Sequence, residues 1–246
     1  MRQQLLVLFF CLCSCLVSAA EVQVAVAANF AAPIKRLAEE FEKSTGHKLI
    51  LSVGSTGKFY AQISNGAPFD VLLSADDVTP LKLEKEGFAV AGTRYTYATG
   101  RLVLWSAKPE LVDDKAAVLL RHDFKNLAIA ASKVAPYGVA AVQAMTKMGL
   151  LDSVQAKLVT GESVGQTFSM VSTGNADLGF VAMSQVFENG KLKSGSAWVV
   201  PANLHSALKQ DAVLLVRGKA NPAALQLLMF LKSAQAKAIM TSFGYE

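Results

Sequence analysis

Polar caps at four predicted strand-to-helix junctions are the residues of this sequence best suited to bind a ligand. The junctions are Ala28-Asn29-Phe30, Gly54-Ser55-Thr56-Gly57, Pro136-Tyr137-Gly138 and Gly161-Glu162-Ser163-Val164. A helix N-terminus presents unpaired N–H groups and the positive end of the helix dipole, and both attract anions. Asn, Ser and Thr are also ordinary N-caps, so a single cap of this kind does not indicate a ligand site. Several helix termini that meet at one place do. Together they predict an anion site built without a charged side chain.

The neutral character of these donors indicates which anions fit. A monoprotonated phosphate needs an acceptor for its proton, whereas sulfate, molybdate and tungstate are fully deprotonated at neutral pH and need none. A hydrogen bond to a charged group contributes about 1.5 to 3 kcal/mol, and a Kd between 1 μM and 1 nM corresponds to about 8 to 12 kcal/mol. Several such bonds therefore suffice to bind a small oxyanion without a countercharge.

The elements that must position these caps alternate between strand and helix along the chain. This alternation predicts an α/β fold in which parallel sheets are covered by helices on both faces. The helix that follows Asn29 carries Ile34, Leu37 and Phe41 on one face, at the spacing of an amphipathic helix. The caps are then expected at the ends of strands, where helices begin.

Two segments, near residues 99–102 and 202–213, have the composition of crossings between two lobes. If the chain leaves the first lobe at one crossing and returns at the other, residues 21–101 and 206–246 form lobe I and residues 102–205 form lobe II. Clefts between lobes are common sites for small ligands. We therefore expect a two-lobed clamshell with its ligand in the cleft.

The first twenty residues have the pattern of a cleavable signal peptide. Arg2 supplies the basic start, Leu5–Val17 is apolar, and Val17-Ser18-Ala19 or Ser18-Ala19-Ala20 supplies the cleavage signal. The apolar run is shorter than the roughly 20 residues that a transmembrane helix needs. The sequence thus predicts an exported, periplasmic protein, with a lipid anchor at Cys15 as the less favoured alternative.

Composition argues against several other classes. All cysteines (Cys11, Cys13 and Cys15) lie in the leader, so the mature chain has neither a disulfide nor a thiolate metal site. The 24 basic residues exceed the 19 acidic ones without forming a dense run, so nucleic-acid binding is not indicated. The three histidines, His47, His122 and His205, are far apart in sequence, and none has another histidine one helical turn away. We expect no direct protein ligands to a metal.

The whole mature chain resembles the periplasmic molybdate-binding proteins of molybdate ABC transporters, the ModA type. The segments that carry the resemblance are Val26-Ala27-Ala28-Asn29-Phe30, Gly54-Ser55-Thr56-Gly57, Gly66-Ala67-Pro68-Phe69-Asp70-Val71-Leu72-Leu73-Ser74-Ala75-Asp76, Val134-Ala135-Pro136-Tyr137-Gly138, Glu162-Ser163-Val164 and Ala176-Asp177-Leu178-Gly179-Phe180-Val181. The resemblance implies a type II periplasmic binding fold. It also implies a monomer that captures molybdate or tungstate, uses no cofactor and delivers its ligand to an ABC permease.

The resemblance further implies a set of oxyanion-binding residues. They are Ala28, Asn29, Ser55, Thr56, Tyr137 and Val164. Asn29 and Thr56, with Ser55, would donate from lobe I through side chains and main-chain N–H groups, and Tyr137 and the N–H of Val164 would donate from lobe II. The better-known pattern has Ser in place of Asn29 and a tyrosine in place of Ala182. Tyr137 is therefore expected to supply the phenol from a different helix start.

Two alternative functions remain open from the residues alone. The first is capture of another tetrahedral oxyanion, with sulfate foremost, because discrimination depends on pocket size. The second is a secreted serine hydrolase, because Gly161-Glu162-Ser163-Val164-Gly165 matches the G-x-S-x-G elbow. A triad with Ser163 would recruit Asp177 and His205, which follow it in the required order.

Overall fold

A computed structural model describes residues 19–246. The predicted signal peptide, residues 1–20, therefore lies outside the described residues except for positions 19 and 20. All three cysteines also lie outside them. Within residues 19–246, no helix combines the length and the apolar character needed to cross a membrane.

The described chain alternates between strands and helices as expected. The strands are β1 (Glu21–Ala27), β2 (Lys48–Gly54), β3 (Val71–Leu73), β4 (Tyr95–Gly100), β5 (Leu102–Ser106), β6 (Leu127–Ala130), β7 (Leu158–Gly161), β8 (Leu178–Ala182), β9 (Phe187–Glu188), β10 (Lys191–Leu192), β11 (Ser196–Val199) and β12 (Leu208–Leu214). The helices are α1 (Ala31–Thr45), α2 (Thr56–Ser64), α3 (Val78–Lys85), α4 (Ala117–Arg121), α5 (Pro136–Lys147), α6 (Leu151–Val154), α7 (Val164–Ser172), α8 (Met183–Val186), α9 (Pro222–Phe230) and α10 (Ala234–Ser242). Short 3₁₀ turns complete the chain at Ala28–Phe30, Gln155–Lys157, Ala202–Leu204 and Val216–Ala220.

Two five-stranded sheets organise the fold. The first has the order β2-β1-β3-β12-β4 and the second the order β11-β5-β8-β6-β7. In each sheet three adjacent strands run parallel, and a fourth strand, β12 or β5, pairs antiparallel with both of its neighbours. The α/β prediction is confirmed, and each sheet is mixed, with three neighbouring strands parallel, rather than parallel throughout. We refer to the first sheet with its helices as lobe I and to the second as lobe II.

The reversed strands follow from the way the chain crosses between the sheets. β4 ends at Gly100 and β5 begins at Leu102, so the chain passes straight from one sheet into the other. It returns after β11 and re-enters the first sheet as β12, between β3 and β4. Because both crossings lie side by side, the two sheets are joined along one edge of the cleft.

Lobe I is anchored by an apolar face beneath the first helix. Ile34, Leu37 and Phe41 of α1 are fully buried against the β1 side of the sheet, and burial of each such side chain contributes about 1.5 to 3 kcal/mol. Phe30, also fully buried, packs its ring against the edges of Tyr97 and Tyr245, with ring centroids 4.9 and 5.4 Å away. The strand end at residues 27–29 is thus held in place by core packing.

A buried carboxylate stabilises the reversed strand of lobe I. Asp211 is fully buried and accepts hydrogen bonds from Arg94 Nη1 and Thr96 Oγ1, both at 2.6 Å. The pairing of β12 with β4 shifts register between Gln210 and Asp211, and such an irregularity redirects side chains. Asp211 therefore faces its partners on the β4 side while Gln210 remains free to make other contacts.

We expect Asp211→Ala to lower the free energy of unfolding by about 3 kcal/mol, because it leaves the partners of a buried ion pair without their acceptor. Urea denaturation of the variant and the wild type measures the difference. Asp114→Ala serves as a control, since Asp114 is exposed. An Asp211 variant as stable as the control variant would contradict this role.

Candidate functional site

The four predicted caps meet at a small cavity between the lobes. The cavity is lined by Ala27, Ala28, Asn29, Gly54, Ser55, Thr56, Ala75, Ala135, Pro136, Tyr137, Ser163 and Val164. All six residues predicted to bind an oxyanion are among them. Strand register accounts for the convergence, because Ala27 pairs with Gly54 at the end of one parallel pair and Ala130 with Gly161 at the end of the other. Helices that start just beyond these pairs open at the same place.

The hydroxyl groups of lobe I are arranged as neutral donors. Ser55 is buried at the N-cap of α2, and its Oγ has no hydrogen-bond partner among residues 19–246. Thr56 Oγ1 accepts a hydrogen bond from the N–H of Ala75 at 3.0 Å, which leaves its own proton available to donate. A buried polar group without a partner is unfavourable by about 1 to 3 kcal/mol, so Ser55 favours a bound acceptor.

The side chain of Asn29 is hydrogen-bonded within the protein. Its side-chain Nδ2 donates to Gln210 Oε1 at 2.7 Å and to the hydroxyl of Tyr245 at 2.8 Å, so both amide hydrogens are engaged. Gln210 Nε2 donates to the carbonyl of Leu208 at 2.7 Å, which fixes the orientation of both amides. Both hydrogens of the Asn29 side-chain amide are therefore used within the protein, while its expected role in binding the anion stays a prediction. Its main-chain N–H, in the first turn of a helix, is the donor that remains.

Tyr137 offers a main-chain N–H in the first turn of α5 and a buried phenol. The phenol lies against Gly100, where an added Cβ would collide with the hydroxyl and come within 3.1 Å of Gln210 Nε2. Burial, with the nearby Tyr245 hydroxyl, raises the pKa of Tyr137 well above its usual value. The phenol thus stays protonated at neutral pH, and its oxygen, next to Gly100, has no hydrogen-bond partner among residues 19–246. Its expected role as a donor to the anion stays a prediction.

The second cap of lobe II is formed by the residues around Ser163. Ser163 Oγ accepts from the N–H of Gln166 at 3.3 Å, and the N–H of Glu162 donates to Gln166 Oε1 at 2.6 Å. These bonds satisfy groups outside the cavity and fix the start of α7. Val164, buried as the first residue of that helix, presents its N–H to the cavity side.

The residues of the hydrolase alternative are engaged separately. The Asp177 carboxylate accepts from Lys108 Nζ at 2.6 Å and from the N–H of Lys125 at 2.7 Å, and the Lys108 ammonium lowers its pKa. His205 Nδ1 lies 2.7 Å from the carbonyl of Ser206. Ser163, as an N-cap, bonds to neither of them. Over residues 19–246, no cluster of three or more His, Cys, Asp or Glu is placed to hold a metal ion either.

Direct contacts close the lobes over the cavity. The N–H of Gly57, at the start of α2 in lobe I, donates to the carbonyl of Val134 in lobe II at 2.9 Å. A Cβ at Gly57 would lie 2.9 Å from both the Cα and the carbonyl oxygen of Val134. Beside this contact, Lys58 forms an ion pair with Glu162 across the same gap. The two lobes are therefore in direct contact beside the cavity, as expected of a closed clamshell.

Three site-related residues escaped the sequence analysis: Gln210, Tyr245 and Ser184. Ser184 Oγ donates to the carbonyl of Asn29 at 2.6 Å, and the Tyr245 hydroxyl lies 3.0 Å from the same oxygen. Of the three, only Gln210 has a sequence feature that could have indicated a special role, since it is a polar residue in a strand that continues as an apolar run. The other two belong to short polar or terminal segments with no pattern of their own.

Comparison with known proteins places the chain among transport proteins. A family profile described as bacterial extracellular solute-binding protein matches residues 22–246. The chain is 58% identical to the molybdate-binding protein ModA of Azotobacter vinelandii over 95% of this chain and 93% of that protein. It is 50% identical to ModA of Rhodobacter capsulatus, over 93% of this chain and 89% of that protein. The solved structure of an Azotobacter vinelandii periplasmic molybdate-binding protein matches with a TM-score of 0.89 and 43% identity, covering 92% of this chain and 98% of that one.

We expect Ser55→Ala to weaken binding of a tetrahedral oxyanion by about 1.5 to 3 kcal/mol, because a donor to a charged group is lost. Isothermal titration calorimetry measures the change. Ser64→Ala is a matched control: Ser64 Oγ is also buried without a partner among the described residues, but it lies at the other end of α2, roughly 13 Å away along the helix. Equal affinities of the two variants would remove Ser55 from the site.

We also expect Gly57→Ala to weaken oxyanion binding at least tenfold while leaving the ligand-free protein as stable as the wild type. Alanine favours a helix over glycine by about 1 kcal/mol, so α2 itself is not harmed, but the added methyl group holds the lobes apart at Val134. Calorimetry gives the affinity, and small-angle X-ray scattering with excess ligand gives the degree of closure. Wild-type affinity together with full closure would show that this contact tolerates a side chain.

Proposed function

This chain belongs to the family of bacterial extracellular solute-binding proteins, and from that premise we propose that it captures molybdate in the periplasm and delivers it to an ABC transporter. The observation that carries the proposal is the convergence of four helix starts at one small cavity, together with the buried Ser55 hydroxyl, which has no partner among residues 19–246. The 58% and 50% identical relatives named as molybdate-binding proteins support molybdate as the ligand.

In the proposed mechanism the two lobes separate at their crossings and admit the anion. Lobe I would comprise residues 21–101 and 206–246, and lobe II residues 102–205. The oxyanion accepts hydrogen bonds from lobe I through Ser55 Oγ, the Thr56 hydroxyl and the N–H of Asn29. Lobe II adds the N–H groups of Tyr137 and Val164. Since these donors belong to different lobes, the anion gains its full set of bonds only when the lobes close.

Closure then gives the transporter a form to recognise. The Gly57–Val134 hydrogen bond and the Lys58–Glu162 ion pair exist only when the lobes meet, so they add to the stability of the ligand-bound form. The ion pair is exposed and contributes little by itself. Most of the closing free energy therefore comes from the anion, and an empty protein remains open more of the time.

Selectivity among oxyanions follows from the chemistry of the lining. None of the residues that line the cavity within the described chain carries a carboxylate, so a monoprotonated phosphate finds no strong acceptor for its proton. Molybdate and tungstate carry no proton at neutral pH and differ little from each other in shape. We infer that both bind, and that sulfate is discriminated by its smaller size.

The remaining parts of the proposal concern the protein as a whole. We infer that the predicted signal peptide directs it to the periplasm and that it acts there as a monomer. We also infer that it catalyses no reaction, because Ser163, Asp177 and His205 make separate hydrogen bonds. Ester hydrolysis that disappears in Ser163→Ala would restore the hydrolase alternative.

The deciding experiment is a calorimetric titration of the mature protein with molybdate, tungstate, sulfate and phosphate. We expect Kd values of micromolar or tighter for molybdate and tungstate, which corresponds to about 8 kcal/mol or more, and no heat from phosphate. Ser55→Ala measured in parallel connects the heat to this cavity. Tight sulfate binding without molybdate binding would replace molybdate by sulfate as the ligand.

A further inference from the structure

A buried polar cluster lies directly behind the oxyanion cavity. It consists of Asn29, Ser184, Gln210 and Tyr245, whose exposed fractions are 1, 2, 0 and 4%. Polar groups are unfavourable in such surroundings unless they are hydrogen-bonded, and these four residues bond mainly to one another. The bonds run from Asn29 Nδ2 to Gln210 and Tyr245, and from Ser184 Oγ and the Tyr245 hydroxyl to the Asn29 carbonyl.

The cluster joins parts of the chain that are far apart in sequence. Asn29 follows β1, Gln210 lies on β12 beside the second crossing, and Tyr245 lies beyond α10. Ser184 belongs to α8 of lobe II, whereas the other three belong to lobe I. The bond from Ser184 Oγ to Asn29, at 2.6 Å, is thus a contact between the lobes. Asn29 is the one member that also lines the cavity.

Tyr245 is fixed in this position by the segment that carries it. The N–H of Thr99 donates to the carbonyl of Glu246 at 2.7 Å, and the N–H of Glu246 donates to the carbonyl of Thr99 at 3.0 Å. The N–H of Asn189, in lobe II, donates to the carbonyl of Ser242 at 2.6 Å. The segment therefore lies along β4 next to the first crossing and contacts both lobes.

Holding Asn29 at both its side chain and its carbonyl restricts rotation of the residue and so limits the directions its main-chain N–H can take. We propose that Tyr245 and Ser184 are positioning residues that hold the Asn29 N–H on the oxyanion and, by bonding to it from both lobes, couple this orientation to closure. The inference rests on the proposed function, because it assigns the two residues to that same site. Neither of them lines the cavity, so they act on the ligand through Asn29.

Tyr245→Phe tests the proposal, and the chain offers a matched control in Tyr97→Phe. Both tyrosines are buried and pack edge-on against Phe30. The Tyr97 hydroxyl, however, has no partner among residues 19–246. We expect Tyr245→Phe to raise the Kd for molybdate about tenfold, which corresponds to the loss of roughly one buried hydrogen bond, and Tyr97→Phe to leave it unchanged.

The dissociation rate distinguishes positioning from a purely structural role. We expect Tyr245→Phe and Ser184→Ala each to speed molybdate release, measured by stopped-flow competition with tungstate, while the association rate stays at the wild-type value. Their effects should be less than additive in the double variant, because both act on the same carbonyl. A structural role alone would lower the melting temperature of the ligand-free protein without changing release.

Wild-type Kd and release rate in both single variants would overturn the proposal. Ser184→Ala provides an independent reading should Tyr245→Phe fail to fold. The wild-type protein is titrated with molybdate in the same series. If it gave no heat, the proposed function would fail, whereas wild-type binding with unaffected variants would leave that function standing and remove only the positioning role.

Discussion

Unpaired N–H groups at the first turns of helices are the constraint on which the arrangement of the two lobes depends. Such groups have no acceptor within their own helix, and burial without any acceptor is unfavourable. In the closed protein the starts of α2, α5 and α7 and the turn at Asn29 face one another across a cavity that admits little water. An oxyanion bound as proposed would satisfy several of them at once, so closure and anion binding would be a single event.

The strand-to-helix alternation and the four caps could be predicted because they are local features, readable over a dozen residues. The orientation of Asn29 could not, because its side chain is directed by Gln210 and Tyr245, 181 and 216 residues away. The start of β12 could not be predicted either: residues 202–213 have the composition of a crossing, yet the strand spans Leu208–Leu214. Its polar residues are buried by distant partners such as Arg94.

The space around positions 182 and 137 is a steric feature that sequence patterns do not contain. Ala182, where the better-known pattern has the tyrosine, is fully buried at the end of β8 and pairs with Leu102 on β5. Tyr137 instead approaches from α5, and its hydroxyl needs the space that Gly100 leaves free. Gly100 and Tyr137 thus depend on each other, and a side chain at position 100 would displace the phenol and disturb the crossing between the lobes.

The place of β12 within the first sheet also sets an order of events during synthesis. β12 lies between β3 and β4, so that sheet remains open until residue 214 is available, after every strand of the second sheet has been made. Pairing between distant segments is slow compared with local contacts. A chain that folds as it emerges will therefore complete its second sheet before its first, and it acquires the ability to hold a ligand only as a last step.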